Sequence, residues 1–170
     1  VSVARTRPSA GTFVTNESYQ VPANFTPVSP LTGDFSTRIL TCPDDCLHGM
    51  LDAINSAETS IHASLASIDD SWVTEGSPLV DALKTAAERG VELKVLLDGN
   101  YIRIDGGSSR TIATRAVIQE MNEGWGLANV EARIMADSEN VWSLHNKGLI
   151  IDTETVLVGS INWNDNAIIR

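Results

Sequence analysis

Segments of strand length and helix length alternate along the chain from residue 36 onward, and this order constrains the fold more than any other feature. Strands are predicted at residues 36–42, 60–68, 91–98, 129–135, 146–152 and 155–161, and helices at residues 44–57, 78–90 and 110–123. This alternation indicates an α/β fold, with a mostly parallel sheet sandwiched by helices and a hairpin at the C-terminal end. The run VELKVLLD at 91–98 is largely apolar, which is typical of a strand covered on both faces.

The first 35 residues show no periodic pattern and contain prolines at positions 8, 22, 27 and 30. We expect residues 1–35 to form an extended arm or linker and residues 36–170 to form the domain. Two glycosylation sequons lie in the arm, at Asn16 and Asn24. They favour an extracellular or membrane-surface setting.

The formal net charge of −10 bears on the kind of partner that the chain can bind. Nucleic-acid binders hold phosphate backbones with a surplus of lysine and arginine, so this charge argues against generic nucleic-acid binding. A few focused cations are still enough to bind a single phosphate group.

Polar residues flank the two apolar runs near the end of the sequence. We expect these runs to pair as a hairpin across residues 153–154, so that Lys147 faces Ser160 and His145 faces Asn162. Because strand side chains alternate, all four polar groups would then lie on one face of the hairpin. The spacing therefore predicts a polar pocket.

Such a pocket suits a phosphodiester. The Lys147 ammonium and the Asn162 carboxamide are donors for anionic oxygens, and the His145 imidazole is a nucleophile at neutral pH that needs no metal. Gly159 leaves room beside the pocket for backbone or substrate. Asp152 lies at the turn, and we expect it to fix the local structure.

Six residues resemble, in type and spacing, the HKD signature of the phospholipase D superfamily: His145-x-Lys147-x4-Asp152-x6-Gly159-Ser160-x-Asn162. The resemblance covers residues 36–170 and implies a phosphodiesterase that uses no metal or other cofactor. It implies that one histidine attacks phosphorus to form a phosphohistidine, while the histidine of a second motif protonates the leaving alcohol. The resemblance assigns catalysis to His145, Lys147 and Asn162, phosphate binding to Lys147, Ser160 and Asn162, and supporting roles to Asp152 and Gly159.

The chain contains one such motif, because neither His48 nor His62 is followed two residues later by a lysine. The family also places an acidic residue well after the asparagine, and the sequence stops before that position. We therefore expect the N-terminal half of a two-motif protein, truncated at its C-terminus, or a homodimer that brings two copies of His145 together. An isolated monomer should be nearly inactive.

A phospholipid is the expected substrate, for hydrolysis or phosphatidyl transfer, because the acidic composition disfavours nucleic acid. A nuclease of the same superfamily is the alternative enzyme, and a non-catalytic module that binds phosphate or a partner is the alternative from another class. The loop at 99–109 is either a lid over the substrate or an ordinary surface loop.

Several other residues invite a functional interpretation. Three interpretations of Cys42 and Cys46 are open: a disulfide, two free thiols, or an incomplete zinc site together with His48. We expect His62 to be a buried structural histidine. Trp163 is the best candidate for the rim of the site, whereas most of the other tryptophans should pack in the core.

Overall fold

The computed structural model describes residues 3–4, 14–15, 33–98, 109–135, 144–164 and 167. The chain divides into two units, residues 1–38 and 39–170. Within the first unit, strand β1 (Val3–Ala4) pairs antiparallel with strand β2 (Val14–Thr15). The boundary between an arm and a domain after residue 35 remains a prediction.

The described residues of the second unit form α1 (Cys46–Asn55), β3 (Ser60–Leu65), α2 (Asp70–Thr74), α3 (Pro78–Glu88), β4 (Glu92–Leu97), α4 (Ser109–Gln119), a π-helical turn (Glu120–Gly124), β5 (Val130–Ile134), β6 (Lys147–Ile151) and β7 (Thr155–Val158). The strand predicted at 36–42 is wrong, because residues 34–41 are irregular. The short helix α2 is an addition to the predicted order. None of the described helices has the length and apolarity that a membrane span requires.

Helix α3 begins and ends as its sequence predicts. Pro78 is its first residue, and the Ser77 hydroxyl accepts a hydrogen bond from the Val80 N–H at 3.4 Å. Gly90 follows the helix with a φ of 98°, a conformation that favours glycine and commonly ends helices.

The strand order of the sheet is β5-β4-β3-β6-β7. Strands β3, β4 and β5 are parallel to one another, and β6 runs antiparallel to both of its neighbours. Four of the five strands therefore run in one direction, and the predicted α/β class with a mostly parallel sheet is confirmed. This order inserts β6 directly beside the central strand β3.

One face of the sheet, the inner face, forms the core with helices α1, α3 and α4. In β4, Leu93, Val95 and Leu97 are buried on this face, whereas Glu92 and Lys94 are exposed on the opposite, outer face. The expectation that this strand is covered on both faces is therefore wrong for the described residues. Burial of each large inner side chain contributes about 1.5–3 kcal/mol to folding.

Candidate active site

The strands that carry the motif form a hairpin whose register differs by one residue from the prediction. Ile151 pairs with Thr155, so the loop has three residues instead of two. Its first two residues, Asp152 and Thr153, have left-handed φ values of 53° and 62°. Its third, Glu154, donates its backbone N–H to the Ile151 carbonyl at 3.0 Å. The extra loop residue shifts every subsequent pair by one position.

The shift changes which motif residues lie opposite one another. The predicted pairs of Lys147 with Ser160 and of His145 with Asn162 are wrong, because Gly159 donates its N–H to the Lys147 carbonyl at 2.9 Å. Strand β7 ends just before Gly159, and the chain then bends. The serine and the asparagine follow the last paired residue, so strand alternation does not determine which way their side chains point.

The three residues 160–162 are held at both ends. At one end is the bond from Gly159 to β6. At the other end, Trp163 is 2% exposed, its ring centroid lies 6.4 Å from that of Trp72, and its carbonyl accepts the Asp69 N–H at 3.0 Å. The prediction that Trp163 forms the rim of the site is therefore wrong, because this residue packs in the core and anchors the segment.

The four candidate substrate-contacting side chains differ in exposure. His145 is exposed and precedes β6, while Lys147 begins β6 and is half-buried. The Lys147 Nζ donates to the His145 carbonyl at 2.9 Å. Ser160 and Asn162 are exposed on the segment that follows β7. All four are thus accessible, at least in part, to a molecule arriving from solvent.

Two hydrogen bonds restrain the backbone on either side of His145. The Asp98 Oδ1 accepts the N–H of Leu144 at 3.1 Å, and the Ala66 N–H donates to the carbonyl of Asn146 at 2.8 Å. The residues on both sides of the histidine are therefore tied to the ends of β4 and β3. The predicted site omits Asp98, and the signal that could have found it is a carboxylate placed directly after an apolar strand.

Asp152 lies at the other end of β6, about 20 Å along the chain from the histidine. Its carboxylate accepts the backbone N–H groups of Ser60, Glu58 and Thr59 at 2.8–2.9 Å, and also the Thr59 hydroxyl at 2.8 Å. These hydrogen bonds, that of Ser60 first, hold the pKa of Asp152 well below its usual range. The residue joins the hairpin loop to the start of β3.

A cavity of about 800 Å³ opens on the outer face, and His145, Lys147 and Gly159 line it together with His62 and Lys94. It therefore extends from the motif strand across β3 and β4. Ser160 and Asn162 are not among the residues that line it.

His62 and Lys94, which both line this cavity, each contact Glu92. The His62 Nε2 lies 3.1 Å from the Glu92 Oε1, which also accepts from the Lys94 Nζ at 2.9 Å. These hydrogen bonds, that of Lys94 first, lower the pKa of Glu92. The side chain of His62 is 44% exposed, so the expectation of a buried histidine is wrong.

The cysteine alternatives are resolved by a disulfide between Cys42 and Cys46, which leaves no thiol for a zinc site with His48. Elsewhere in the described ranges, no group of three His, Cys, Asp or Glu side chains is placed to hold a metal ion. The predicted lid or surface loop falls almost entirely on residues 99–108, outside the described residues, as does Trp142.

Comparison with known proteins identifies relatives for most of the chain. Residues 50–170 match the family described as the cardiolipin synthase, phospholipase D-like domain. A protein named phospholipase D from Rickettsia prowazekii (strain Madrid E) is 27% identical over 145 residues, covering 85% of this chain and 60% of that protein. Its namesake from Rickettsia bellii (strain RML369-C) is 26% identical over 136 residues, covering 80% and 57%. The chain thus spans about three fifths of the length of these relatives.

Two solved structures are similar as well. Nuc from Salmonella typhimurium, a phospholipase D family member, is 28% identical with a TM-score of 0.49, over 71% of this chain and 66% of that one. NucT from Helicobacter pylori is 20% identical with a TM-score of 0.50, over 72% and 70%. The second likeness concerns the fold alone.

Proposed function

The chain belongs to the phospholipase D superfamily, and from that premise we propose that it supplies one half of a phosphodiesterase site in which His145 is the nucleophile. The predicted family membership is confirmed by the match over residues 50–170. The observation that carries the proposal is that all six motif residues lie on one hairpin or on the short segments that directly precede and follow it, within this match.

The proposed reaction has two displacement steps at phosphorus. The His145 imidazole attacks, a P–N bond forms, and the P–O bond to the leaving alcohol breaks. The histidine of a second motif gives its proton to the departing alkoxide. That histidine then takes a proton from water or another alcohol, whose oxygen attacks phosphorus and breaks the P–N bond.

The chain's own residues would bind the phosphate during both steps. The Lys147 ammonium supplies positive charge, and the Ser160 hydroxyl and the Asn162 carboxamide supply neutral donors. The segment that carries these last two residues is held against β6 through Gly159, which supports a shared role with the lysine. Donors fixed in advance stabilise the charge that grows on the phosphoryl oxygens.

A phospholipid is the proposed substrate, for hydrolysis or phosphatidyl transfer. The net charge of −10 disfavours a long polyanion, while a single phosphate group can bind to a local cation. Both curated relatives carry the name phospholipase D, which agrees with this choice. The remaining half of the site would come from a second HKD segment or from a second copy of this chain.

The test is turnover of an aryl phosphodiester with a chelator present, followed by a comparison of phosphatidylcholine vesicles with single-stranded DNA at low salt. With the second half of the site present, from a second HKD segment or a second copy of the chain, we expect turnover of the aryl ester and the vesicles. His145→Ala should lose about three orders of magnitude or more in rate. The matched control is His48→Ala, an exposed histidine on α1, which should leave the rate unchanged.

Three results would contradict parts of this proposal. Equal rates for the wild type and His145→Ala would remove the histidine from the chemistry. Turnover of DNA without turnover of vesicles would favour the nuclease alternative. No turnover at all, even after a second HKD half is added, would favour the non-catalytic module.

A further inference from the structure

We propose that Asp98 is a positioning residue for His145, an inference that rests on the proposed function. Among the residues that the structure describes, Asp98 is the one charged side chain in the buried set, with 2% exposure. It directly follows β4, and no motif of the sequence includes it.

The geometry gives this carboxylate a specific task. Its Oδ1 accepts the Leu144 N–H at 3.1 Å, and Leu144 is the residue that precedes His145. On the other side, the Asn146 carbonyl accepts the Ala66 N–H at 2.8 Å. The histidine, which lies outside β6, thus stands between two hydrogen bonds, one made by the residue that follows β4 and one by the residue that follows β3.

Of the two bonds, the one to Asp98 depends on a side chain and can therefore be removed by substitution. Burying a carboxylate costs free energy, whereas burying an apolar residue at the same position after Leu97 would not. Part of the compensation is a charge-assisted hydrogen bond to the backbone of Leu144, which lies outside the sheet ladder. The bond restrains the backbone of residues 144 and 145, so we expect it to stabilise the conformation of these two residues.

The expected benefit is catalytic rather than a matter of affinity. A nucleophile displaced by about 1 Å reacts about 100-fold more slowly, even where substrate binding is intact. Of the proposed phosphate-binding groups, Ser160 and Asn162 follow β7, and the backbone of Lys147 is held in β6 by its pairing with β3. Loss of the Asp98 acceptor should therefore lower kcat and leave KM nearly unchanged.

The experiment compares Asp98→Ala and Asp98→Asn with the wild type, using the aryl phosphodiester assay and amide hydrogen exchange at Leu144. Asp98→Ala should lose about 100-fold in kcat at constant KM, and its Leu144 amide should exchange faster. Asp98→Asn keeps an oxygen acceptor and should recover most of both properties. The matched control Ser77→Ala removes another buried side-chain acceptor of a backbone N–H, and should lower Tm without changing kcat.

Either of two results would overturn the inference. One is a kcat in Asp98→Ala that stays close to wild type in folded protein, and the other is an Asn variant that is no better than Ala. Should Asp98→Ala not fold, the isosteric Asn variant and the exchange rate at Leu144 still decide. The exchange measurement needs no turnover and therefore tests the role of Asp98 even if the proposed enzyme activity is not found. Unchanged protection of the Leu144 amide in a folded variant would contradict that role.

Discussion

Asp152 shows that one residue of the motif can serve the fold far from the chemistry. Its depressed pKa means that the folded state binds the ionised carboxylate more favourably than the unfolded chain does. The stabilisation is thus fully present above the unfolded pKa of about 4 and is lost progressively as pH falls below it toward the folded pKa. We expect Asp152→Asn to lower the thermal midpoint at pH 7, with a difference from wild type that shrinks as pH is lowered below about 4.

The measurement is a series of thermal melts between about pH 2 and pH 7. The control is Glu154→Gln, an exposed carboxylate in the same loop that should leave the midpoint close to wild type at every pH. A gap between wild type and Asp152→Asn that stays constant across this range would mean that ionisation of Asp152 is not the source of the stability.

The residue types of the candidate site could be read from the sequence, but their orientation could not. The spacing of His145, Lys147 and Asp152 fixes their order along a strand, whatever the strand pairs with. The position of Asn162 relative to that strand depends on the loop length and on the end of β7. Asp98 reaches the site through a contact between residues 46 positions apart, which no local pattern encodes.

At the scale of elements, the hairpin loop holds a β-branched residue in a left-handed backbone conformation that glycine would adopt at a lower free-energy cost. Thr153 is exposed and has a φ of 62°, which a β-branched side chain adopts at a cost of about 1–2 kcal/mol. We expect Thr153→Gly to stabilise the protein by about 1 kcal/mol in urea unfolding, since the entropy that glycine adds to the unfolded chain offsets part of the relief.

The neighbouring Thr155→Gly is the control for this change. Thr155 is exposed but lies in β7 with an extended backbone, where glycine should destabilise by about 0.5–1 kcal/mol. The two threonine variants should therefore move the urea midpoint in opposite directions. A shift in the same direction for both would mean that the left-handed conformation of Thr153 carries no measurable cost.

Helices whose ends are marked by local residues could be predicted from the sequence. Strands that depend on pairing with a distant segment were harder to predict. Helix α3 has Ser77 and Pro78 at its start and Gly90 after its end, and all three are local signals. The run STRILTC at 36–42 has the length and composition of a short strand, but a strand also needs a partner edge, and Ile39 is 82% exposed. Hairpin register fails for a related reason, because the number of loop residues is set by the pairing.

At the scale of the whole molecule, the sequence did not reveal which side of the sheet would be open. The strand at Glu92–Leu97 reads as apolar, yet its alternate residues divide between the core and the exposed outer face. Apolar residues also stand on this face in β6 and β7, where Ile150 is 45% and Val158 is 85% exposed. The pattern of apolar and polar side chains indicates which residues share a face of the strand, but not whether another element covers that face.

The proposed second histidine of the site gives a test of assembly that needs no structure. Suppose that two copies of the chain form one site to which each contributes His145. Mixing wild type with an equal amount of His145→Ala then pairs half of the wild-type subunits with an inactive partner, so activity should fall to about half of that of wild type alone. Adding His48→Ala instead should about double the activity, because every pair stays competent. Undiminished activity in the first mixture, after time for exchange of subunits, would mean that each wild-type chain acts without the histidine of a second copy.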